Sequence, residues 1–66
     1  MVGDMLKERR KLHGYTQRQL GELLGYEGRT AEMMVQKWEY NQRPINPKHY
    51  RKLAELLDMP VEAFIP

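Results

Sequence analysis

The stretch Thr30-Ala31-Glu32-Met33-Met34-Val35-Gln36-Lys37-Trp38-Glu39-Tyr40 reads as a helix with two unlike faces. Ala31, Met34, Val35 and Trp38 recur at the three- and four-residue spacing that stacks side chains on one side of a helix, and that side is apolar. At about 100° per residue the opposite side collects Arg29, Met33, Gln36 and Tyr40, with Glu32 and Lys37 on its flanks. Thr30 is expected as N-cap, because its hydroxyl can accept from a first-turn N–H that has no helical partner. The rest of the chain reads as support for this helix.

Upstream, Tyr26-Glu27-Gly28-Arg29 reads as the turn into it, and Gly25 ends a preceding helix that runs from about Thr16 to Leu24. That helix opens on the clearest local signal in the chain. Thr16 and Gln19 have capping-box spacing, and Tyr15 and Leu20 stand at the two positions of a hydrophobic staple. Leu20, Leu23 and Leu24 are its expected buried side chains. Gly21 inside it costs up to ~1 kcal/mol against alanine, which the close approach of another helix would explain. A first helix spans about Val2 to His13, with Val2, Met5, Leu6 and Leu12 apolar, and Gly14 stops it.

Downstream, Asn41, Gln42, Arg43 and Pro44 form an exit loop. Asn46 then caps and Pro47 occupies the first position of a further helix, with Ile45 and Tyr50 as its staple. The buried face there is Tyr50, Leu53, Ala54 and Leu57. Asp58-Met59-Pro60 breaks that helix, and Val61 to Ile65 make a last helical turn. Five helices and no strand emerge, an all-α fold in one domain over residues 1–66.

Sixty-six residues allow one small core, since a chain this short buries only about 60% of its unfolded surface. There is no cysteine, which excludes disulfides and thiolate metal sites. His13 and His49 lack companion ligands at metal spacing and are expected on the surface, so neither a metal nor another cofactor is expected. No apolar run approaches the roughly 20 residues of a membrane span, and the N-terminus lacks the apolar core of a signal peptide. The expected location is cytoplasmic. The sequence offers no nucleophile with a base and no glycine-rich phosphate loop. A body this small also leaves little room for a pocket of several hundred Å³ (roughly 300 or more), so an enzyme is not expected.

The formal charge of +2 is unevenly spread. Residues 36–52 carry Lys37, Arg43, Lys48, Arg51 and Lys52 against Glu39, a net of +4. Residues 53–66 carry Glu55, Asp58 and Glu62 and no base, a net of −3. A basic strip beside the outward face of the central helix fits a phosphate backbone; a plain solvated face is the alternative.

The run TQRQLGELLG, then VQKWE, then NQRPIN resembles the Cro and phage-repressor class of helix-turn-helix proteins, the XRE family, over Leu6 to about Phe64. The most specific matches are Thr16-Gln17, Leu23-Leu24-Gly25 and Trp38-Glu39. The resemblance implies a compact five-helix, lambda-repressor-like domain that regulates transcription, with a repressor expected. It implies a homodimer, at least on DNA, on a palindromic double-stranded operator. Carried over residue by residue, Gln17 matches a glutamine that contacts a phosphate and braces the reading helix. Glu32, Met33 and Lys37 match positions that face base edges. Arg10 and Glu39 match a salt bridge between the first and third helices, and Asn41, Gln42 and Arg43 match a loop that grips the sugar-phosphate backbone. Thr16, Arg18, Arg29, Tyr40 and Lys48 complete the expected backbone set.

The sequence departs from the family in one large respect. Twelve residues, 26–37, separate Gly25 from Trp38, roughly four more than the family spacing and more than a turn of about 3–4 residues requires. Either the turn is looser or the recognition helix has an added N-terminal turn. Asn41 stands where glycine is common, which asparagine tolerates because it also visits the left-handed region.

The mechanism these readings imply is major-groove recognition by the third helix, with phosphate contacts fixing register. Lys37 can donate to guanine O6 and N7, Gln36 can pair with adenine or a phosphate, and Met33 can touch a thymine methyl. Glu32 would accept from a cytosine amino group or act only as a filter. Met33 could instead be core, as Met34 is expected to be, and Gln36 and Lys37 could be plain helix formers. Trp38 could stack on single-stranded nucleic acid, but its spacing from Val35 favours core. The competing function is a protein-interaction module, such as an antitoxin or a regulator's partner, docking through Met59, Val61, Phe64 and Ile65. Nothing after Ile65 marks a natural end, so a piece of a longer protein fits as well.

Overall fold

The computed structural model describes residues 1–65. Its elements are α1 (Val2–Leu12), α2 (Gln17–Leu23), α3 (Gly28–Glu39) and α4 (Tyr50–Leu57), with 3-10 turns at Pro47–His49 and Val61–Phe64. No strand occurs among the described residues. Four of the five expected helices are α-helical; the fifth is the 3-10 turn ending at Phe64, one residue short of the expected end.

Each helix starts or stops for a local reason. At α2 both halves of the capping box form, Gln19 N–H to Thr16 Oγ1 at 3.0 Å and Thr16 N–H to Gln19 Oε1 at 2.8 Å. The C-terminal ends of α1, α2 and α3 close in the same way, with paired backbone bonds from the two residues after the cap. At α3 these are Asn41 N–H to the Trp38 carbonyl and Gln42 N–H to the Lys37 carbonyl. Asn41 takes the left-handed conformation this requires, at φ +56°. Asn46 accepts from Lys48 N–H, but Pro47 starts a 3-10 turn and α4 proper begins only at Tyr50.

The start of α3 corrects the sequence reading. The helix begins at Gly28, its N-cap is Glu27, and no side chain caps it. Thr30 is already within the first turn. Gly28 adopts φ +52°, a conformation open to glycine at little cost, and this lets the chain turn into the helix two residues early. The turn is therefore only Leu24 to Glu27, and the extra length between Gly25 and Trp38 belongs to the helix itself. Its other end falls at Glu39, with Tyr40 as C-cap.

The core is built from Leu6, Leu20, Ala31, Val35, Trp38, Ile45, Leu53, Leu57 and Phe64. Met34, Tyr50 and Ala54 pack against it from partly buried positions. Leu23, expected inside, is 46% exposed, because Leu20 and Gly21 are the α2 positions that face α3. At Gly21 a Cβ would overlap the Ala31 carbonyl, so α2 and α3 meet backbone to backbone. Gly3 plays the same part in α1, where a Cβ would overlap the Glu39 carbonyl.

Candidate nucleic-acid interface

The outward side of α3 follows from its inward side. With Ala31, Val35 and Trp38 buried, Arg29, Met33, Gln36 and Tyr40 all lie exposed, at i, i+4, i+7 and i+11, one stripe along the helix. Met33 is 44% exposed, which removes the core alternative for it, whereas Met34 packs on the core. Glu32 and Lys37 flank the stripe, half-buried. Trp38 is 2% exposed and presents no stacking face; its indole N–H finds no acceptor among the described residues.

The C-terminal end of α3 is fixed by a buried polar knot. Arg10 clasps Glu39 with two bonds, Nε to Oε2 at 2.5 Å and Nη2 to Oε1 at 3.2 Å, and its Nη1 donates to the Tyr15 carbonyl at 2.9 Å. The fork geometry suits a planar carboxylate. Gln17 donates Nε2 to Glu39 Oε1 at 3.1 Å, so the amide that braces α3 has its donor turned inward. What Gln17 can still offer a phosphate is its second amide hydrogen and its backbone N–H, which the capping box at the start of α2 leaves without a side-chain acceptor.

Asn41 is also occupied. Its Oδ1 accepts from Gly3 N–H at 3.2 Å, filling one of the orphan donors at the start of α1; only the side-chain NH2 is left for a phosphate. The Lys7 ammonium lies 5.7 Å from the centre of the Tyr40 ring, within cation–π range. Gln42 and Arg43 are exposed on the loop after α3, and Lys48 is exposed in the 3-10 turn that follows. Thr16 and Arg18 are exposed at the start of α2. Arg18 pairs with Glu22 at 3.7 Å, a surface contact of little energetic weight. Its guanidinium lies 3.6 Å from where a Gly28 Cβ would stand, beside the tip of α3. Arg29 is exposed at that tip and makes no ion pair among the described residues.

Three features escaped the sequence reading. His49, expected on the surface, is 6% exposed. Its Nε2 shares a 2.9 Å hydrogen bond with the Tyr26 hydroxyl, and its ring packs 5.5 Å from both Tyr26 and Trp38. Burial, helped by the neighbouring Lys48 charge, holds its pKa below the ordinary 6.5. The 3-10 turn after Pro47 rotates His49 inward. Arg9 was given no role in the sequence reading, yet its guanidinium donates to the Leu57 and Asp58 carbonyls at 2.7–3.1 Å and ties the end of α4 to α1. The third feature is a groove of about 440 Å³ lined by Tyr26, Trp38, Arg43, Pro44 and Tyr50 among others, larger than the chain length suggested. It is open to solvent, a fold between the proline-stiffened loop and α3.

No described helix is long and apolar enough to cross a membrane. Among the described residues no cluster of His, Asp or Glu has metal-binding geometry. Residues 6–64, nearly the whole chain, match a helix-turn-helix family. No curated protein and no solved structure gives a match.

Proposed function

The chain belongs to the helix-turn-helix family of Cro and phage-repressor type, a family of DNA-binding regulators, and from that premise we propose that it is a sequence-specific repressor of transcription. It reads the major groove of double-stranded DNA with α3. The observation that carries this reading is the exposed stripe Arg29, Met33, Gln36 and Tyr40 on a helix whose far end is locked by the Arg10–Glu39 pair. A helix packed along its inner face, locked at its far end and bare along its outer stripe is suited to insertion.

In this reading Met33, Gln36, Lys37 and Glu32 meet base edges, Lys37 by donating to guanine and Met33 by covering a thymine methyl. Thr16, Gln17, Arg18, Tyr40, Asn41, Gln42, Arg43 and Lys48 grip sugar and phosphate on either side, fixing register without reading sequence. Lys37 is half-buried beside the stripe, and a lysine so placed can lay its stem along the helix and carry its ammonium to the groove. The protein acts as a homodimer on a palindromic operator, without cofactor or catalysis, in the cytoplasm.

The interaction-module alternative loses ground at the C-terminal turn. Phe64 is buried and stacks on Tyr50, ring centres 5.6 Å apart, so the largest side chain of the apolar tail closes the core and Ile65 alone of the four is exposed. Selection of a random duplex library at near-physiological salt tests the proposal. An enriched inverted repeat with half-sites about one helical turn apart is expected; a pool without enrichment, bound only at low salt, would overturn it.

A further inference from the structure

The early start of α3 changes what Arg29 can do. With a helix beginning at Thr30, Arg29 would belong to the turn and suit a phosphate. With the helix beginning at Gly28, Arg29 is in its first turn, exposed, and in line with Met33 and Gln36. In helix-turn-helix docking the N-terminal residues of the recognition helix are the ones that meet base edges.

We propose that Arg29 is a base-reading residue, presenting its guanidinium fork to O6 and N7 of a guanine at one end of each half-site, with Met33 and Gln36 on the base steps that follow. This rests on the major-groove reading above. Three observations carry it. The added residues between Gly25 and Trp38 form helix and not loop, since the turn is only Leu24 to Glu27, so Arg29 stands on a rigid element. From Arg29 to Gln36 the helix rises about 10 Å at 1.5 Å per residue, a span of about three base steps at 3.4 Å each. Neither Glu27 nor Glu32 pairs with Arg29 among the described residues. All its donors are therefore free for a planar acceptor pair.

Electrostatics adds to the case. The start of a helix carries the positive end of its dipole, where a cation is disfavoured. Arg9 and Arg10 cluster in the last turn of α1, where the dipole favours them, and both make structural bonds. Arg29 sits at the opposite kind of end with no structural return. The Arg18 guanidinium lies beside Gly28, so the tip carries two cations, one aligned with the stripe and one on α2 beside it.

The test uses the duplex selected by the wild-type protein. Repeating the selection with Arg29→Ala is expected to erase the preference for one guanine per half-site, a discrimination of about 5- to 150-fold, while the other positions keep theirs. Lysine can still donate to guanine O6 and N7 but lacks the planar fork, so Arg29→Lys should recover affinity and keep part of the guanine preference that Arg29→Ala loses. Placing 7-deazaguanine at that position removes the N7 acceptor. Wild-type binding should fall at least about fivefold, and Arg29→Ala should be indifferent to the change. Uniform weakening by Arg29→Ala with an unchanged motif, or equal tolerance of 7-deazaguanine by both proteins, would make Arg29 a backbone contact and overturn this inference alone. Failure of the wild type to enrich any motif would overturn it together with the reading it rests on.

Discussion

At its C-terminal end α3 is held by the Arg10–Glu39–Gln17 knot, by α1 packed through Gly3 onto the Glu39 carbonyl, and by the Asn41 bond to Gly3. At its N-terminal end it has no side-chain cap, and its first turn exposes Arg29 and Thr30. Only the inner side of that first turn is held, where Gly21 brings α2 against Ala31. Stability is concentrated where the helix is anchored, and free donors where it is bare. A reading helix needs this division, since its angle must be set by contacts that the DNA does not use.

The largest effect is expected at the anchor. Arg10→Met leaves the Glu39 carboxylate buried without its cation, with only the Gln17 amide still donating to it, and urea unfolding should show a loss of about 3–5 kcal/mol. The double variant Arg10→Met with Glu39→Met should recover most of it, because two apolar groups remove the stranded charge. Gly21→Ala drives a methyl into the Ala31 backbone, and a loss of about 1–3 kcal/mol is expected in the same measurement. At the free end, Arg29→Ala and Met33→Ala should stay within about 0.5 kcal/mol of wild type, as exposed positions do. Equal losses at the two ends would break the comparison.

Binding separates the ends again. Lys37→Ala should cost about 1–3 kcal/mol on the selected site and relax one base position. Arg43→Ala should weaken all sequences alike and make the salt slope shallower by about 1. Identical behaviour of the two variants in a salt titration would dissolve the distinction between reading and gripping.

Much of this was legible in sequence because the signals were local. The capping box at Thr16, the Asn46-Pro47 start and the apolar periodicity of α3 each involve residues within a turn or two of one another. Gly21 was legible as a point of close approach, and Gly3, also inside a helix, carried the same signal unread. The start of α3 was missed because Thr30 offered a plausible cap, and a left-handed Gly28 leaves no trace of its φ in the sequence. Of the candidate site, the stripe followed from periodicity, but the competing uses of Asn41 and Gln17 did not. Those depend on bonds across 38 and 22 residues. His49 and Arg9 were hidden for the same reason, with partners 23 and 48 or 49 residues away.

The smallest expected effect sharpens the anchored side further. His49 packs on Trp38 and Tyr26, and its pKa in the folded protein lies below the ordinary value of 6.5. The unfolded chain therefore takes up the proton first. Stability should be full above about pH 6.5 and decline as pH falls from there through the folded-state value. Thermal unfolding between pH 7.5 and 5.5 (about the range of His titration) should show a falling midpoint. In His49→Gln that decline should flatten.

The central claim, that α3 lies in the major groove, is tested most directly by dimethyl sulfate footprinting on the selected duplex. Guanine N7 faces the major groove and adenine N3 the minor groove, so the two methylation products report the two grooves separately. Protection of guanine N7 within each half-site, with adenine N3 left reactive there, is the predicted result. Protection confined to adenine N3, with guanine N7 fully reactive, would contradict it.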